Sequence, residues 1–393
     1  MLFKKIRESR MVAVLLTPIG LFLGLFLCFI AVRELVLNEN IAVHHAKTLA
    51  EGENVVIPID VFRQRTNEGQ LVHVSAYPMV DGARRDELFE IVAVNAIKLR
   101  RVVEMYQWQT EQFKGYDTNY YQLWSDQVID SNEFELSTKY HNPPQLITEK
   151  IFIAQQVKLG DFMLSTNLIE KMNAYQKFPI IDSSFWQVQE NLRPILQNKK
   201  LHFEDGSYYI GDNPDHPQIG DLRISFEIIQ PEIMSIIAKQ VNSNLMPYQT
   251  QTGDEIEFFE YGAMSAEQMF ENEKISLFFN KIYYNFTGFI MIFLGFYSLF
   301  FVLWIAKTTI PFMGNSSDLV GWLTCLIIAA VLTLTITGFI WMDYSSITGK
   351  ILVAIALTPL YFLKFVRKPS TSKLAFLPEL LPERIVPKKN NGV

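Results

Sequence analysis

The sequence MVAVLLTPIGLFLGLFLCFIAV, residues 11–32, contains 22 consecutive residues without a charged side chain. About 20 residues of α-helix, at a rise of about 1.5 Å per residue, cross the roughly 30 Å hydrocarbon core of a bilayer. The stretch therefore predicts a membrane-spanning helix. It is longer than the apolar region of a typical signal peptide, and Arg33 and Glu34 follow it where a signal peptide would have small residues. We expect it to remain as an anchor.

Three more apolar stretches follow a long polar block. Residues 286–306 read FTGFIMIFLGFYSLFFVLWIA, and residues 319–341 are equally free of charge. The last apolar stretch, residues 351–363, has only 13 residues. It reaches membrane length, as residues 347–365, only if it extends back toward Ile347 and the ammonium groups of Lys350 and Lys364 extend toward the polar headgroups. The sequence thus predicts four transmembrane helices.

Charge is distributed unevenly between the polar block and the rest of the chain. Residues 38–280 contain 35 acidic and 20 basic residues, a formal charge of −15, whereas the remaining 6 acidic and 15 basic residues give +9. Basic flanks of membrane helices stay in the cytosol. We therefore expect the basic N-terminus, residues 1–10, and the basic tail, residues 366–393, to be cytosolic. The acidic block would then lie in a periplasm or a lumen.

The acidic block reads mostly as strands. Leu222, Ile224, Phe226 and Ile228 alternate with polar residues, which is the period of two expected of a half-buried strand. Two helices are also predicted, at residues 161–175 and from Ser265, where the Ser265–Gln268 spacing matches a capping box. Further strands are predicted at residues 54–62, 70–76, 88–97, 99–109, 119–124, 150–158 and 207–211, at 256–261, and in a hairpin around residues 242–244. The predicted fold class is an α+β membrane protein, with four transmembrane helices and a large strand-rich extracytosolic domain inserted between helices 1 and 2.

No residue pattern in the chain predicts catalysis, a cofactor or a metal site. Phosphate-binding glycine loops, the nucleophile elbow and the H-E-x-x-H zinc motif are all missing from the sequence. Of the six histidines only His44 and His45 are close, and side chains of adjacent residues point in different directions. The mixture of bases and aromatics at residues 98–109 could suggest nucleic-acid stacking, but an acidic extracytosolic domain repels phosphate. We expect acids of the domain to neutralise Arg100 and Arg101 instead.

Small residues recur at four-residue spacing in two predicted spans. Such stripes let helix backbones approach closely, within one bundle or between subunits. The helix-packing candidates are Gly20, Gly24 and Cys28 in the first span and Gly321, Cys325, Ala329, Thr333 and Thr337 in the third. The first three predicted spans contain no Asp, Glu, Lys, Arg or His, which argues against a pump or an ion-coupled transporter.

Several stretches resemble the family of transmembrane protein 43, also called LUMA. They are NEGQLVHVS at 67–75, IKLRRVVEMYQW at 97–108, LGDFMLSTNLIEK at 159–171, GDLRISF at 220–226 and GDEIEFFEYGAMSAEQMF at 253–270. The resemblance implies four spans, cytosolic ends and one large lumenal domain. It also implies a scaffold that binds other membrane proteins in the endoplasmic reticulum and inner nuclear membrane. A bacterial member would have its domain in the periplasm and its helices in the inner membrane. No catalytic residue comes with the resemblance.

These observations favour a non-enzymatic membrane scaffold whose acidic domain mediates protein–protein interaction or oligomerisation. Its expected partners are membrane lipids, other membrane proteins and a second copy of the chain, and nucleic acid is not expected. One alternative is a channel or lipid-handling protein with the acidic domain as a vestibule and Thr333 and Thr337 along its pore. The other is an exported hydrolase with an unrecognised site.

Overall fold

The computed structural model describes residues 10–111, 118–180, 185–196, 199–309 and 318–366. The chain divides into two compact units. One comprises Met1–His44 with Leu277–Val393, and the other comprises His45–Ser276. The predicted basic ends, residues 1–10 and 366–393, lie almost entirely outside the described residues.

Four long helices contain the predicted membrane spans. They are α1 (Arg10–Val55), α4 (Ala266–Thr309), α5 (Asp318–Trp341) and α6 (Ser346–Val366). Within the described residues, three segments are long and apolar enough to cross a membrane, namely Thr17–Val55, Ala266–Val302 and Gly321–Trp341. The corresponding part of α6, Ser346–Pro359, is a shorter apolar helix. The prediction of membrane helices is therefore confirmed for three.

Two of these helices extend well beyond their apolar segments. The sequence predicts that the first helix ends near residue 32 and that a strand covers residues 54–62, but α1 continues to Val55. Residues 33–51 contain neither proline nor glycine, so nothing in this stretch breaks the helix. Helix α4 begins directly after Ser265, whose hydroxyl accepts a hydrogen bond from the Gln268 amide at 3.2 Å, while the Gln268 side chain accepts one from the Ser265 amide at 2.9 Å. The predicted capping box is confirmed.

The unit His45–Ser276 is built on two larger sheets. The first has the order β1-β2-β15-β16-β10-β9-β3, with β19 also pairing β15. Its strands are β1 (Ile57–Pro58), β2 (Leu71–Ala76), β3 (Met79–Val80), β9 (Val157–Leu159), β10 (Phe162–Leu164), β15 (Met234–Val241), β16 (Asn244–Met246) and β19 (Phe258–Tyr261).

The second sheet has the order β12-β13-β14-β6-β7, with β11 on β14 and β8 on β6. Its strands are β6 (Lys98–Glu111), β7 (Asn119–Ser125), β8 (Lys150–Ile153), β11 (Gln176–Phe178), β12 (Lys200–Glu204), β13 (Ser207–Gly211) and β14 (Leu222–Ile229). Two separate pairs are β4 (Ala83–Asp86) with β5 (Ile91–Val94) and β17 (Tyr248–Gln249) with β18 (Glu255–Ile256). The short helices are α2 (Thr166–Lys171) and α3 (Phe185–Leu196).

The sequence pattern predicted the strands of this unit better than its helices. The apolar residues of β14 are buried and its polar ones half-buried, as expected, and β15 and β16 form the predicted hairpin through Asn242 and Ser243. The predicted helix at residues 161–175 has the wrong bounds. Its first residues form β10, and only Thr166–Lys171 is helical, because the Ser165 hydroxyl caps the Leu168 amide at 3.1 Å and fixes a later start.

Each sheet has its own apolar core. The second sheet buries Phe89, Tyr208 and Phe226, with the Phe89 ring in contact with the other two rings, and α3 adds Val188 and Leu192. Burial of one such side chain contributes about 1.5–3 kcal/mol. These contacts hold α3 and the β4–β5 hairpin in place.

Candidate functional site

The small residues of the first span lie against α4. A Cβ atom on Gly20 would be 2.9 Å from Val302 Cγ2, and one on Gly24 would be 2.8 Å from Leu299 Cδ2. On the opposite helix, a Cβ atom on Gly295 would be 2.5 Å from Cys28 Sγ. Carbon atoms in contact sit about 3.5–4.0 Å apart, so the two backbones approach where neither helix has room for a larger side chain.

The stripe on α5 lies inside the helical unit. The ring of Phe300 from α4 occupies the space that a Cβ on Gly321 would need. Cys325, Ala329, Thr333 and Thr337 are all buried, and Ala329 belongs to an apolar cluster with residues of α1 and α4. The stripe therefore faces α1 and α4 of the same chain.

A buried carboxylate lies at the end of this apolar cluster. Glu39 is on α1, one turn after Leu35, and is only 2% exposed. Its carboxylate accepts hydrogen bonds from the Asn285 amide of α4 and the Trp341 indole of α5, and from the Thr337 hydroxyl at 3.1 Å. One side chain thus joins three helices.

Further contacts link the groups around Glu39. The Thr337 hydroxyl is also 2.9 Å from Asn285 Oδ1. The Lys281 ammonium lies 3.6 Å from the centroid of the Trp341 ring, a cation–π contact one turn before Asn285. We call Glu39, Lys281, Asn285, Thr337 and Trp341 the polar cluster.

The polar cluster holds α1, α4 and α5 together through hydrogen bonds to one carboxylate. Hydrogen bonds to charged groups contribute about 1.5–3 kcal/mol each, and loss of one buried partner leaves the others unsatisfied. Ionisable residues at membrane depth are expensive to bury and commonly functional. The arrangement fixes the relative positions of α1, α4 and α5 at the height of Glu39 along the helices.

Charged residues of the strand-rich unit are also paired. Arg101 Nη1 lies 2.7 Å from the buried Asp86 carboxylate, and Arg100 pairs with Glu227. The predicted neutralisation of both arginines by acids of the domain is confirmed. Burial raises the pKa of Asp86, and the Arg101 charge opposes that shift.

A second buried network joins Tyr209, Asp221 and Lys199. The Tyr209 hydroxyl donates to Asp221 Oδ2 at 2.6 Å, and Lys199 Nζ lies 3.0 Å from Asp221 Oδ1. Burial, followed by the bond to Asp221, raises the pKa of Tyr209. A tyrosine held protonated in this way serves as a hydrogen-bond donor and ties β13 to the loop before β14.

Histidines of the described ranges do not converge on a metal. No group of three or more histidine, cysteine, aspartate or glutamate side chains in those ranges is placed to hold an ion. His73 is buried on β2, and its Nε2 donates to the Met264 carbonyl at 2.9 Å. Burial lowers the pKa of His73 below its ordinary value of 6.5, and this hydrogen bond partly offsets the shift.

Comparison with known sequences identifies the family. The family model described as Transmembrane protein 43 matches residues 105–346. The chain belongs to the transmembrane protein 43 family. It is 26% identical to human transmembrane protein 43 over 365 residues, which cover 87% of this chain and 88% of the relative. Identity to the Drosophila melanogaster homolog is 28% over 373 residues, or 87% of this chain and 93% of the relative. No solved structure matches the chain.

In this member of the transmembrane protein 43 family, sequence reasoning found part of the polar cluster. Thr337 was predicted as a packing residue, and its hydroxyl in fact contacts a carboxylate. Glu39 and Asn285 were missed because they fall just outside the predicted spans at residues 11–32 and 286–306. The signal was present in the spacing: Cys28, Ala31, Leu35 and Glu39 follow one another at intervals of three or four residues, so Glu39 continues the packing stripe of a longer helix.

Proposed function

We propose that this member of the family is a non-enzymatic, multi-pass membrane scaffold or organising protein. Its helices anchor it, and its acidic strand-rich domain binds other membrane proteins or a second copy of the chain. The membrane is the bacterial inner membrane, or the endoplasmic reticulum and inner nuclear membrane in a eukaryote. Lipids are its remaining partners.

The observation that carries this proposal is Trp186, whose side chain is 80% exposed. Helix α3 buries Val188, Leu192 and Leu196 in the core, so Trp186 is held outward on a rigid element. Tryptophan and other aromatic residues are enriched at protein interfaces and at binding hot spots. Large apolar side chains exposed on the same unit also include Phe62, Tyr77, Met79, Val94 and Val128.

Antiparallel contacts support a topology of four spans with both ends in the cytosol. Each long helix packs antiparallel to the next long helix along the chain. The pairs are Gly20 with Val302 and Leu35 with Gly288 between α1 and α4, and Phe300 with Gly321 and Asn285 with Thr337 between α4 and α5. Between α5 and α6, Gly338 contacts Val353, and only residues 342–345 join the two helices, so the chain reverses direction there. Helices that alternate in direction return the chain to the same face after four crossings, which agrees with the basic residues at both ends.

Cross-linking in native membranes, followed by mass spectrometry, tests the scaffold role. We expect recurrent neighbours to cross-link to the strand-rich unit. Trp186→Ala should weaken their binding about thirtyfold and reduce their recovery accordingly, since a hot-spot truncation costs at least about 2 kcal/mol. Gln187→Ala, an exposed neighbour on α3, is the matched control and should leave recovery unchanged. A monomeric protein without recurrent neighbours would refute the proposal.

A channel or lipid-handling role is the second candidate, because polar groups lie inside the helical unit. The Thr333 hydroxyl is buried without a hydrogen-bond partner. Thr333 lies one helical turn before Thr337, whose hydroxyl contacts the Glu39 carboxylate. Reconstitution into liposomes separates the two roles. Ion flux or lipid transfer that Thr333→Val abolishes would favour this candidate, whereas inactive liposomes would remove it.

A further inference from the structure

A basic cleft lies on the strand-rich unit where the β4–β5 hairpin meets β8 and α3. It consists of two adjoining cavities of about 690 and 700 Å³ that share Arg85 and Phe152 in their walls. Arg84 lines the first cavity, and Lys150 and Asn191 line the second. The volumes fall in the range of small-molecule sites, about 300–1,000 Å³.

Arg84 is the unusual residue of this cleft. It is only 8% exposed, and its Nη2 donates to the Asp81 carbonyl at 2.5 Å. Its Nη1 is buried and has no hydrogen-bond partner. An unsatisfied buried donor costs about 1–3 kcal/mol, and more when the group is charged. The fold therefore retains an unpartnered guanidinium donor on a residue that lines the first cavity.

The charges around the cleft favour an anion. Arg84, Arg85 and Lys150 are the basic groups available to a ligand, and the Lys150 ammonium lies 4.9 Å from the centroid of the Phe152 ring. Of the acids in the walls, Asp86 is engaged by Arg101 at 2.7 Å, which leaves Asp81 and Glu87. A positive cleft on an otherwise acidic domain concentrates anions locally.

The cleft is also held in a defined shape. The Asn191 amide of α3 donates to the Glu87 carbonyl and to the Glu90 carboxylate, both at 3.0 Å, and so fastens α3 to the hairpin turn. Phe89 and Ile91 of the hairpin are buried in the core beneath. Because the hairpin is packed on the core, the buried Arg84 side chain is positioned before a ligand arrives.

We propose that this cleft binds a phosphate group carried by a small organic molecule or by a lipid headgroup. The planar fork of an arginine matches phosphate oxygens with two parallel hydrogen bonds. Arg84 supplies its unpartnered Nη1 donor at the first cavity, Arg85 supplies positive charge to both cavities, and Lys150 supplies it to the second. Phe152 offers an apolar surface to the organic part. This site differs from the scaffold surface at Trp186, so either assignment can fail without the other.

Calorimetry on the purified full-length protein in phosphatidylcholine nanodiscs tests the proposal. The soluble probes are inorganic phosphate and glycerol 3-phosphate. In the lipid arm, the protein in phosphatidylcholine nanodiscs is mixed either with vesicles of phosphatidylcholine or with vesicles that also contain phosphatidic acid, and its co-flotation with the two kinds of vesicle is compared. Arg84→Gln should weaken binding about tenfold or more, since it removes a charge-assisted hydrogen bond. Arg85→Gln, at an exposed residue, should weaken it several-fold and keeps the test valid if Arg84→Gln does not fold.

Lys177→Gln is the matched control, because Lys177 is an exposed residue of the same unit outside the cleft. It removes the same charge and should leave binding unchanged. Binding of glycerol 3-phosphate that the cleft variants lose identifies a soluble ligand, and binding restricted to phosphatidic acid vesicles identifies a lipid. If neither probe type binds, or if Arg85→Gln binds as the unaltered protein does, the proposal is overturned.

Discussion

The Thr337 hydroxyl of α5 lies 3.1 Å from the Glu39 carboxylate of α1, across 298 residues of sequence. With Asn285 and Trp341 it surrounds a carboxylate that has almost no contact with solvent. The energetics of this contact and of three others lead to measurable expectations.

Replacement of Glu39 should destabilise the helical unit. Glu39→Ala removes the acceptor that Asn285, Thr337 and Trp341 share, and each buried donor that is left unsatisfied costs about 1–3 kcal/mol. Unfolding of the purified protein in mixed micelles measures the change. Glu34→Gln, which removes only an exposed pair with Arg33, should cost less than about 1 kcal/mol. Equal effects of the two changes would show that the polar cluster contributes nothing.

Enlargement of Gly24 should force α1 and α4 apart. A Cβ atom added at this position would lie only 2.9 Å from the Gly295 carbonyl oxygen. Gly24→Leu therefore overpacks against backbone that cannot move away. Overpacking costs about 1–3 kcal/mol. The same unfolding assay should show this loss, while Leu25→Ala, at an outward-facing position, should change stability little. A Gly24→Leu variant as stable as the parent would contradict this close approach.

Removal of Asp86 should be costly for the strand-rich unit. Asp86→Ala leaves the Arg101 guanidinium buried and unpaired, for a loss of about 3–5 kcal/mol. The matched control is Glu190→Ala, which removes an exposed pair with Arg193 and should be nearly neutral. Chemical denaturation followed by tryptophan fluorescence distinguishes the two. A small effect of Asp86→Ala would mean that solvent reaches Arg101.

Acidification should destabilise the protein through His73. Its pKa is lowered in the folded state, so between that lowered value and the ordinary 6.5 the unfolded chain binds more protons. Stability therefore rises with pH in this window and falls as the pH is lowered through it. His73→Gln should reduce this dependence in thermal unfolding curves measured from pH 7.5 down to 5. His216→Gln, at an exposed residue, is the control and should preserve it.

Local pattern was sufficient for several elements of the fold. Charge-free stretches located three membrane helices, and alternation located β14 and the β15–β16 hairpin, because a helix buried in lipid or a strand with one buried face needs a simple periodicity. The predicted helix at residues 161–175 failed because Ser165, which looked like an interior residue, caps a much shorter helix. The prediction that the first helix ends at residue 32 is wrong, because hydropathy marks the end of the apolar segment and not the end of helical backbone hydrogen bonding.

The candidate sites depended far more on tertiary structure. Nothing adjacent to Arg84 in the sequence shows that one of its nitrogens is buried without a partner, since this depends on how β4 packs against the second sheet. The burial of Asp86 likewise depends on Arg101, which arrives from a different strand. Composition identified the acidic block as a whole but gave no indication that it contains a basic cleft.

The sequence by itself determined that this is a membrane protein with an acidic, strand-rich domain, because hydropathy, charge distribution and alternation are properties of single segments. Only the tertiary structure decided the environment of Glu39, since its partners are 246, 298 and 302 residues away along the chain. Hydrogen bonds and burial act over a few ångströms in space and are independent of sequence separation. A glutamate that resembles any other solvated acid in the sequence therefore becomes, after folding, the group that joins three helices.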